Sequence, residues 1–366
     1  MGKVRIGIDA SRYSKDQKTG IEYYSKYIID GLINNREINF TLWSNKDKPV
    51  DLNSYQNVRW EKLVGNKLWS QVKLGARLFK NNDFNAIFIP SHVVPLIARG
   101  KIIVTIHDLA FEYFPDIYSR FDLFYQRFTT RWAVKKAFKI IVPSLTTKND
   151  LIAKYHCPEN KIEVIYHGID KLLFNPKEEK LNYTKITQPY ILYSGRVEIK
   201  KNLLTLINSY NILCQEKSIQ HKLVLVGKPG FGFERIKKEL ENLPPNIKQN
   251  IILTGYLPER EYINLLKNAY IFCMPSLYEG FGMPVLEALA CGIPVVASDI
   301  PVFKELFKDN VVLVKKEDSF QFAAAFSRLI HKPNDRLKLI KNSEDFVKQF
   351  DWLKTTQETL NVLLKN

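Results

Sequence analysis

Cysteine is scarce in this chain, with four in 366 residues. Cys157, Cys214, Cys273 and Cys291 lie far apart and form no Cys-x-x-Cys pair, which argues against a zinc site or a dithiol redox motif. So few over such a length also argue for a reducing compartment. Long apolar runs are missing too, and none has the length of a membrane-spanning helix. The N-terminus, Met-Gly-Lys-Val-Arg-Ile-Gly-Ile-Asp, reads as a short strand rather than a basic segment with a long apolar core, so no secretory leader is expected. These absences together point to a cytosolic protein, with peripheral attachment to the inner face of the cell membrane left open. There is no internal repeat and no low-complexity tract. Acidic residues are in deficit: 38 Asp plus Glu against 54 Lys plus Arg give a net charge of +16. That excess suits an anionic partner, whether nucleic acid, a phosphorylated small molecule or an acidic membrane surface.

Composition is otherwise that of a globular protein, 45% hydrophobic and 25% charged. At roughly 100–200 residues per domain the length predicts two or three domains, two being the simplest count. Short β-rich runs alternate with longer helical patterns. Strands are predicted at 3–8, 86–89, 102–106, 139–142 and 162–165, then at 190–194, 222–226, 250–253, 270–274 and 294–297. Helical patterns cover 20–33, 118–137, 146–155, 203–213 and 352–364, among others. This alternation predicts parallel sheets covered by helices on both faces. The strands are too many for one sheet. The Asn-Pro, charged and polar stretch Phe174–Thr187 reads as a linker. The expected division is a first domain at 1–172, a linker at 173–188 and a second domain at 189–349. Both domains should be doubly wound, with ligands beyond the carboxyl ends of their strands.

Two segments could carry chemistry. In Pro275-Ser276-Leu277-Tyr278-Glu279-Gly280-Phe281-Gly282-Met283-Pro284-Val285-Leu286-Glu287 a glycine-containing loop leaves a strand. Pro284 suits the first turn of the helix that follows, where its missing N–H is not needed. The loop amides and helix start could bind an anion, with Glu279 before the helix and Glu287 expected in its first turn. A plain helix entry with two solvated acids is the alternative at this point. In Ser194-Gly195-Arg196-Val197-Glu198-Ile199-Lys200-Lys201-Asn202 another strand end meets a helix. Arg196 and Lys201 could clamp a diphosphate there, the first by its forked geometry and the second as a point charge. A solvated basic loop is the alternative.

Together the two segments resemble the retaining glycosyltransferases of family 4, whose mark is Glu-x7-Glu, here Glu279 and Glu287, preceded by a Gly-Arg…Lys-Asn loop. The resemblance spans nearly the whole chain. It takes in Thr19-Gly20-Ile21, Thr105-Ile106-His107-Asp108-Leu109, Val142-Pro143-Ser144, Tyr166-His167-Gly168-Ile169-Asp170, Gly255-Tyr256-Leu257 and Phe350-Asp351-Trp352. It implies the GT-B fold: two Rossmann-like domains facing a cleft, with residues 350–366 crossing back to the first. It also implies that Glu287 holds the ribose hydroxyls of a nucleotide-sugar donor and that Glu279 holds the sugar. Gly280, Phe281, Gly282, Met283 and Pro284 would lie near sugar and phosphates. Arg196 and Lys201, beside Gly195, would neutralise the diphosphate, and Gly255 and Tyr256 would flank the base. In the first domain Gly20 would approach the phosphates and His107 the donor sugar. No metal is expected, because fixed cations can stabilise the leaving diphosphate and the chain lacks an Asp-x-Asp motif. No cofactor is expected beyond the donor substrate.

A histidine after an apolar strand is more often structural than catalytic, and the resemblance reverses that weighting for His107. His92 reads as a loop residue and His167 as support for a turn. Across 118–139, Arg120, Arg127, Arg131 and Lys135 recur on one helical stripe, and Tyr118, Phe121, Tyr125, Phe128 and Trp132 populate another. Such a helix could face anionic lipid or a lipid-diphosphate acceptor; a solvated basic face is the alternative. The expected activity is therefore hexosyl transfer with retention to a glycan or lipid-linked acceptor in surface polysaccharide or glycolipid synthesis. The first domain resembles mannosyltransferases, which favours GDP-mannose over UDP-sugars. Other GT-B enzymes, an epimerase or a sugar-phosphate synthase, are the near alternative. Nucleic-acid binding is the distant one, since no zinc finger, RNP signature or basic tail is present.

Overall fold

The structure, a computed structural model, describes residues 3–13, 19–65, 68–80, 83–175, 186–216 and 219–365. The chain divides into two compact units, 1–168 with 350–366 and 169–349.

The first unit is built on β1 (Arg5–Asp9), β2 (Asn39–Ser44), β3 (Val58–Lys62), β4 (Ala86–Ile89), β5 (Ile102–Thr105), β6 (Lys139–Val142) and β7 (Ile162–Val164). They form one sheet in the order β3-β2-β1-β4-β5-β6-β7, with every pairing parallel. The central strands are continuous β-branched and aromatic runs, such as Ala86-Ile87-Phe88-Ile89, and are buried on both faces, as a helix-covered parallel sheet requires. The terminal helix Trp352–Leu364 belongs to this unit. Leu360, Val362 and Leu363 join the core around Ile6, Ile28 and Phe40. Trp352 stacks on Tyr27 at 5.0 Å, and the Thr355 hydroxyl donates to the Tyr166 carbonyl at 2.8 Å.

The second unit carries β8 (Tyr190–Ser194), β9 (Lys222–Val226), β10 (Ile251–Gly255), β11 (Ile271–Met274), β12 (Val295–Ser298) and β13 (Val312–Val314). Their order is β10-β9-β8-β11-β12-β13, again all parallel. In each sheet the strand order reverses once, between β1 and β4 and between β8 and β11. Ligands of doubly wound sheets bind at such switch points, outside the carboxyl ends of the strands.

Three strands were not expected from the sequence: β2, β3 and β13. β3 reads Val-Arg-Trp-Glu-Lys at a sheet edge, where only alternate positions are apolar, and β13 has three residues. The boundary also falls earlier than expected, after Gly168 rather than after residue 172. Ile169 and Phe174 are buried, the Asp170 carboxylate accepts from the Leu172 and Leu173 amides, and Lys171 donates to the Lys348 carbonyl of the second unit. Of the expected linker, residues 176–185 lie outside the described residues.

Candidate active site

In the second unit the loops after β8 and β11 flank the switch point. They are joined by the Leu277 amide, which donates to the Lys200 carbonyl at 3.0 Å. After β8, the Gly195 amide donates to the Val226 carbonyl and the Tyr193 hydroxyl to the Arg196 carbonyl. The Arg196 side chain is 61% exposed, with the Glu198 carboxylate 3.5 Å from its Nε. Lys201 turns inward at the end of a short 3-10 turn, and its Nζ meets Glu279 Oε1 at 2.5 Å. Ser276 donates to the same oxygen at 2.7 Å, and both members of the ion pair are largely buried. The loop thus holds the Glu279 carboxylate by two donors, while the Lys201 ammonium retains two further N–H groups.

After β11, the helix Met283–Ala290 starts on Gly282, whose φ of +100° lies in the left-handed region. A Cβ there would also lie 2.6 Å from the Phe303 ring, so conformation and packing both demand glycine. Because the helix begins at Met283, Glu287 falls in its second turn. This corrects the expectation of the first turn and removes Glu287 from the amides at the helix start. What holds it is Tyr262, from the helix Glu259–Lys267, whose hydroxyl donates to Glu287 Oε2 at 2.5 Å. Ser194, the last residue of β8, hydrogen-bonds Tyr262 in turn. Burial pushes the Glu287 carboxyl up to about 7, the Tyr262 hydrogen bond pulls it back, and the charge of Glu259 adds to the rise. Gly255 closes β10 with open space where a Cβ would stand, and the Lys228 ammonium lies 4.7 Å from the centre of the Tyr256 ring. Gly280 and Phe281 are buried in the loop, and Met283 and Pro284 are partly exposed at the helix start.

In the first unit, Gly20 opens the helix Gly20–Ile33 just past the carboxyl end of β1. Among the described residues nothing lies within 4 Å of the position of its missing Cβ. Thr19 caps the helix, its amide donating to Glu22 Oε2 at 3.1 Å, and Arg12 pairs with the other oxygen. His107 follows β5. Its Nε2 lies 3.0 Å from the Pro90 carbonyl, which can only accept, so this nitrogen carries the proton. Burial, followed by the neighbouring His92, lowers the His107 imidazole to about 4 and keeps it neutral near pH 7. His92 accepts the His107 amide at 3.2 Å, and His167 packs against the rings of both Tyr24 and Trp352.

Sequence reasoning singled out Lys201, Glu279 and Glu287, which the structure places at this switch point, but gave no role to Ser194 and passed over Tyr262. Tyr262 sits in an ordinary amphipathic helix, and nothing local marks its hydroxyl as facing a carboxylate 25 residues further on. Among the described residues no group of three His, Cys, Asp or Glu could hold a metal ion, and no helix is long and apolar enough to cross a membrane.

Residues 177–346 match the family description "Glycosyl transferases group 1", and residues 19–171 match "Glycosyltransferase Family 4". The chain belongs to glycosyltransferase family 4. This glycosyltransferase is 26% identical to the O-antigen chain mannosyltransferase RfbU of Salmonella typhimurium over 277 residues, which cover 75% of this chain and 72% of that one. It is also 26% identical to O-antigen chain mannosyltransferase B of Escherichia coli over 267 residues, 71% and 69% of the two chains. In fold it resembles Anabaena Alr3699/HepE, solved in complex with UDP and glucose, with a TM-score of 0.78 and 18% identity over the full length of both chains. The glycosyltransferase therefore has the GT-B fold.

Proposed function

We propose that this glycosyltransferase moves a hexose, mannose before others, from a nucleoside-diphosphate sugar to a glycan or lipid-linked acceptor in surface polysaccharide or glycolipid synthesis, with retention at the sugar carbon. The observation that carries the donor reading is the pair of held carboxylates at the β8/β11 switch point. Glu279 is fixed by Lys201 and Ser276, and Glu287 is fixed by Tyr262. Under this reading Glu287 accepts from the ribose hydroxyls through the oxygen not engaged by Tyr262. Glu279 accepts from the donor sugar, with the loop from Gly280 to Pro284 beside sugar and phosphates. Arg196 and Lys201, beside Gly195, offset the charge that grows on the leaving diphosphate, so no divalent metal takes part. Gly255 and Tyr256 border the base. In the first unit the open space at Gly20 suits close approach of a phosphate, and neutral His107 hydrogen-bonds the donor sugar. The bond from the sugar carbon to the diphosphate breaks, and the acceptor oxygen attacks from the same face. The acceptor's hydroxyl proton passes to the leaving phosphate oxygen.

The likeness to two O-antigen mannosyltransferases supports a GDP-mannose donor. Alr3699/HepE was solved with UDP and glucose, which keeps UDP-sugars as the second donor class. A net charge of +16 supports work at the inner face of an anionic membrane. The test is nucleotide release from a panel of GDP- and UDP-sugars, with and without EDTA, and the anomeric configuration of the product by NMR. GDP release from GDP-mannose, unaffected by EDTA and giving the α-mannoside, is expected. Turnover of UDP-sugars alone, activity restored only by Mg²⁺ or Mn²⁺, or an inverted product would each overturn the corresponding part.

A further inference from the structure

The helix Arg120–Lys136 of the first unit carries a surface that the reaction above does not use. Its sequence suggests a basic stripe separate from an aromatic one, and the structure corrects that division. Phe121, Phe124 and Phe128 are 70%, 67% and 41% exposed. Steps of three and four residues bring them onto one face with Arg131 and Lys135. Arg120 and Lys136 are exposed on its flanks. The inward side is made by Thr129, Thr130, Ala133 and Val134, with Leu123 and Trp132 packed on the core. The outward rings order one another: Phe124 and Phe128 stack at 6.2 Å and 14°, Phe121 and Tyr125 at 6.3 Å and 12°. An open groove runs between Arg120, Leu123, Phe124, Arg127, Phe128 and Arg131. Arg127, expected in the basic stripe, is instead engaged by Glu112 through two N–H groups at 2.9 and 3.0 Å.

Three phenylalanines exposed together on one helix face form the kind of patch that marks an interaction site. The charge around them selects the partner. At a bilayer surface aromatic rings lie at the boundary between headgroups and acyl chains, while Arg and Lys reach out to lipid phosphates. The helix has 17 residues, five of them Arg or Lys, which suits lying in that boundary rather than crossing it. Its aromatic end comes after β5 in the chain, separated from His107 by two short helical turns at 110–113 and 115–117.

We propose that the outward face of Arg120–Lys136 docks the enzyme on an anionic bilayer, with Phe121, Phe124 and Phe128 entering the headgroup boundary and Arg120, Arg131, Lys135 and Lys136 meeting lipid phosphates. The inference rests on the membrane reading above and adds the surface and the mode of attachment. The test is co-sedimentation of the full chain with vesicles of phosphatidylcholine alone or with about a third phosphatidylglycerol, at low and high salt. The wild type should prefer anionic vesicles and keep a salt-resistant fraction. A Phe121→Ser/Phe124→Ser/Phe128→Ser variant, with unchanged charge, should lose that fraction and bind at least about tenfold more weakly. An Arg120→Gln/Arg131→Gln/Lys135→Gln/Lys136→Gln variant should lose the preference for anionic lipid. Both should keep wild-type nucleotide binding, which belongs to the other unit and reports a folded chain. In Phe124→Trp, emission should shift to the blue on anionic vesicles. No binding by the wild type would overturn the membrane reading itself. Binding that is normal in the Phe variant, with no blue shift in Phe124→Trp, would overturn this docking face alone. A wild-type dimer that the Phe variant makes monomeric, with vesicle binding unaltered, would assign the face to a second copy and overturn it too.

Discussion

Glu287 shows how a side chain's surroundings set its chemistry. Burial raises its carboxyl to about 7, so near neutral pH it is divided between a form that accepts two hydrogen bonds and one that also donates. If the ionised form grips the ribose, nucleotide binding should strengthen as pH rises from about 6 to about 8 and level off above that. The intrinsic stability of the nucleotide-free chain should move the other way. A carboxyl whose folded value is raised contributes stability below its ordinary value and loses it as pH rises through about 7. Tyr262→Phe removes the hydrogen bond that favours the charged form, so the midpoint of the binding profile should move up and affinity at neutral pH should fall. Calorimetry with nucleotide across that range checks both statements, and a flat profile shared by wild type and variant would refute them. This residue-level environment was only half legible in the sequence. Glu279 and Lys201 stand out because each lies where a strand end meets a helix, and Glu287 because it completes the Glu-x7-Glu spacing with Glu279. Tyr262 does not, since its role depends on which helix packs beside the switch point. Arg127 misled in the opposite sense: its helical spacing suggested a solvated cation, but Glu112, outside that helix, engages it.

Among the elements, those with a buried stripe or a continuous apolar run were readable. The helices Gly20–Ile33 and Trp352–Leu364 and the strands β4, β6, β8 and β9 begin and end where the residue pattern says. The edge strands β3 and β13 were hidden because an edge needs fewer apolar residues, and pairing with a neighbour, not composition, makes them strands. β2 is well buried, and its Asn-Phe-Thr-Leu-Trp-Ser sequence shows that polar residues are tolerated where a parallel neighbour supplies hydrogen bonds. The terminal helix depends on one tight contact. A Cβ at Gly168 would stand 2.2 Å from the Trp352 nitrogen and 2.6 Å from its Cα, both backbone atoms that cannot swing aside. Gly168→Ala should therefore push the helix off its seat and destabilise the first unit by about 1–3 kcal/mol. Denaturant unfolding followed by tryptophan fluorescence reads the first unit, which holds all five tryptophans, and an unchanged midpoint would mean that the contact is slack.

At the scale of the whole molecule, the proposed roles fall in different units: the carboxylates proposed to grip the donor belong to the second and His107 to the first. His107→Ala should then lower turnover far more than nucleotide affinity. Because its imidazole is already neutral, activity should show no histidine titration between about pH 5.5 and 8 that the variant abolishes. Initial rates against pH, paired with calorimetry, separate these outcomes, and wild-type turnover in the variant would remove His107 from the reaction. The central claim is that the β8/β11 switch point of the second unit is the donor site, gripped by Glu287. It is tested most directly by titrating GDP and UDP into the wild type and into Glu287→Ala. Loss of hydrogen bonds to a charged acceptor costs roughly 1.5–3 kcal/mol each, so the better-bound nucleotide should lose at least about tenfold in affinity. Equal affinity in the two proteins would contradict the account.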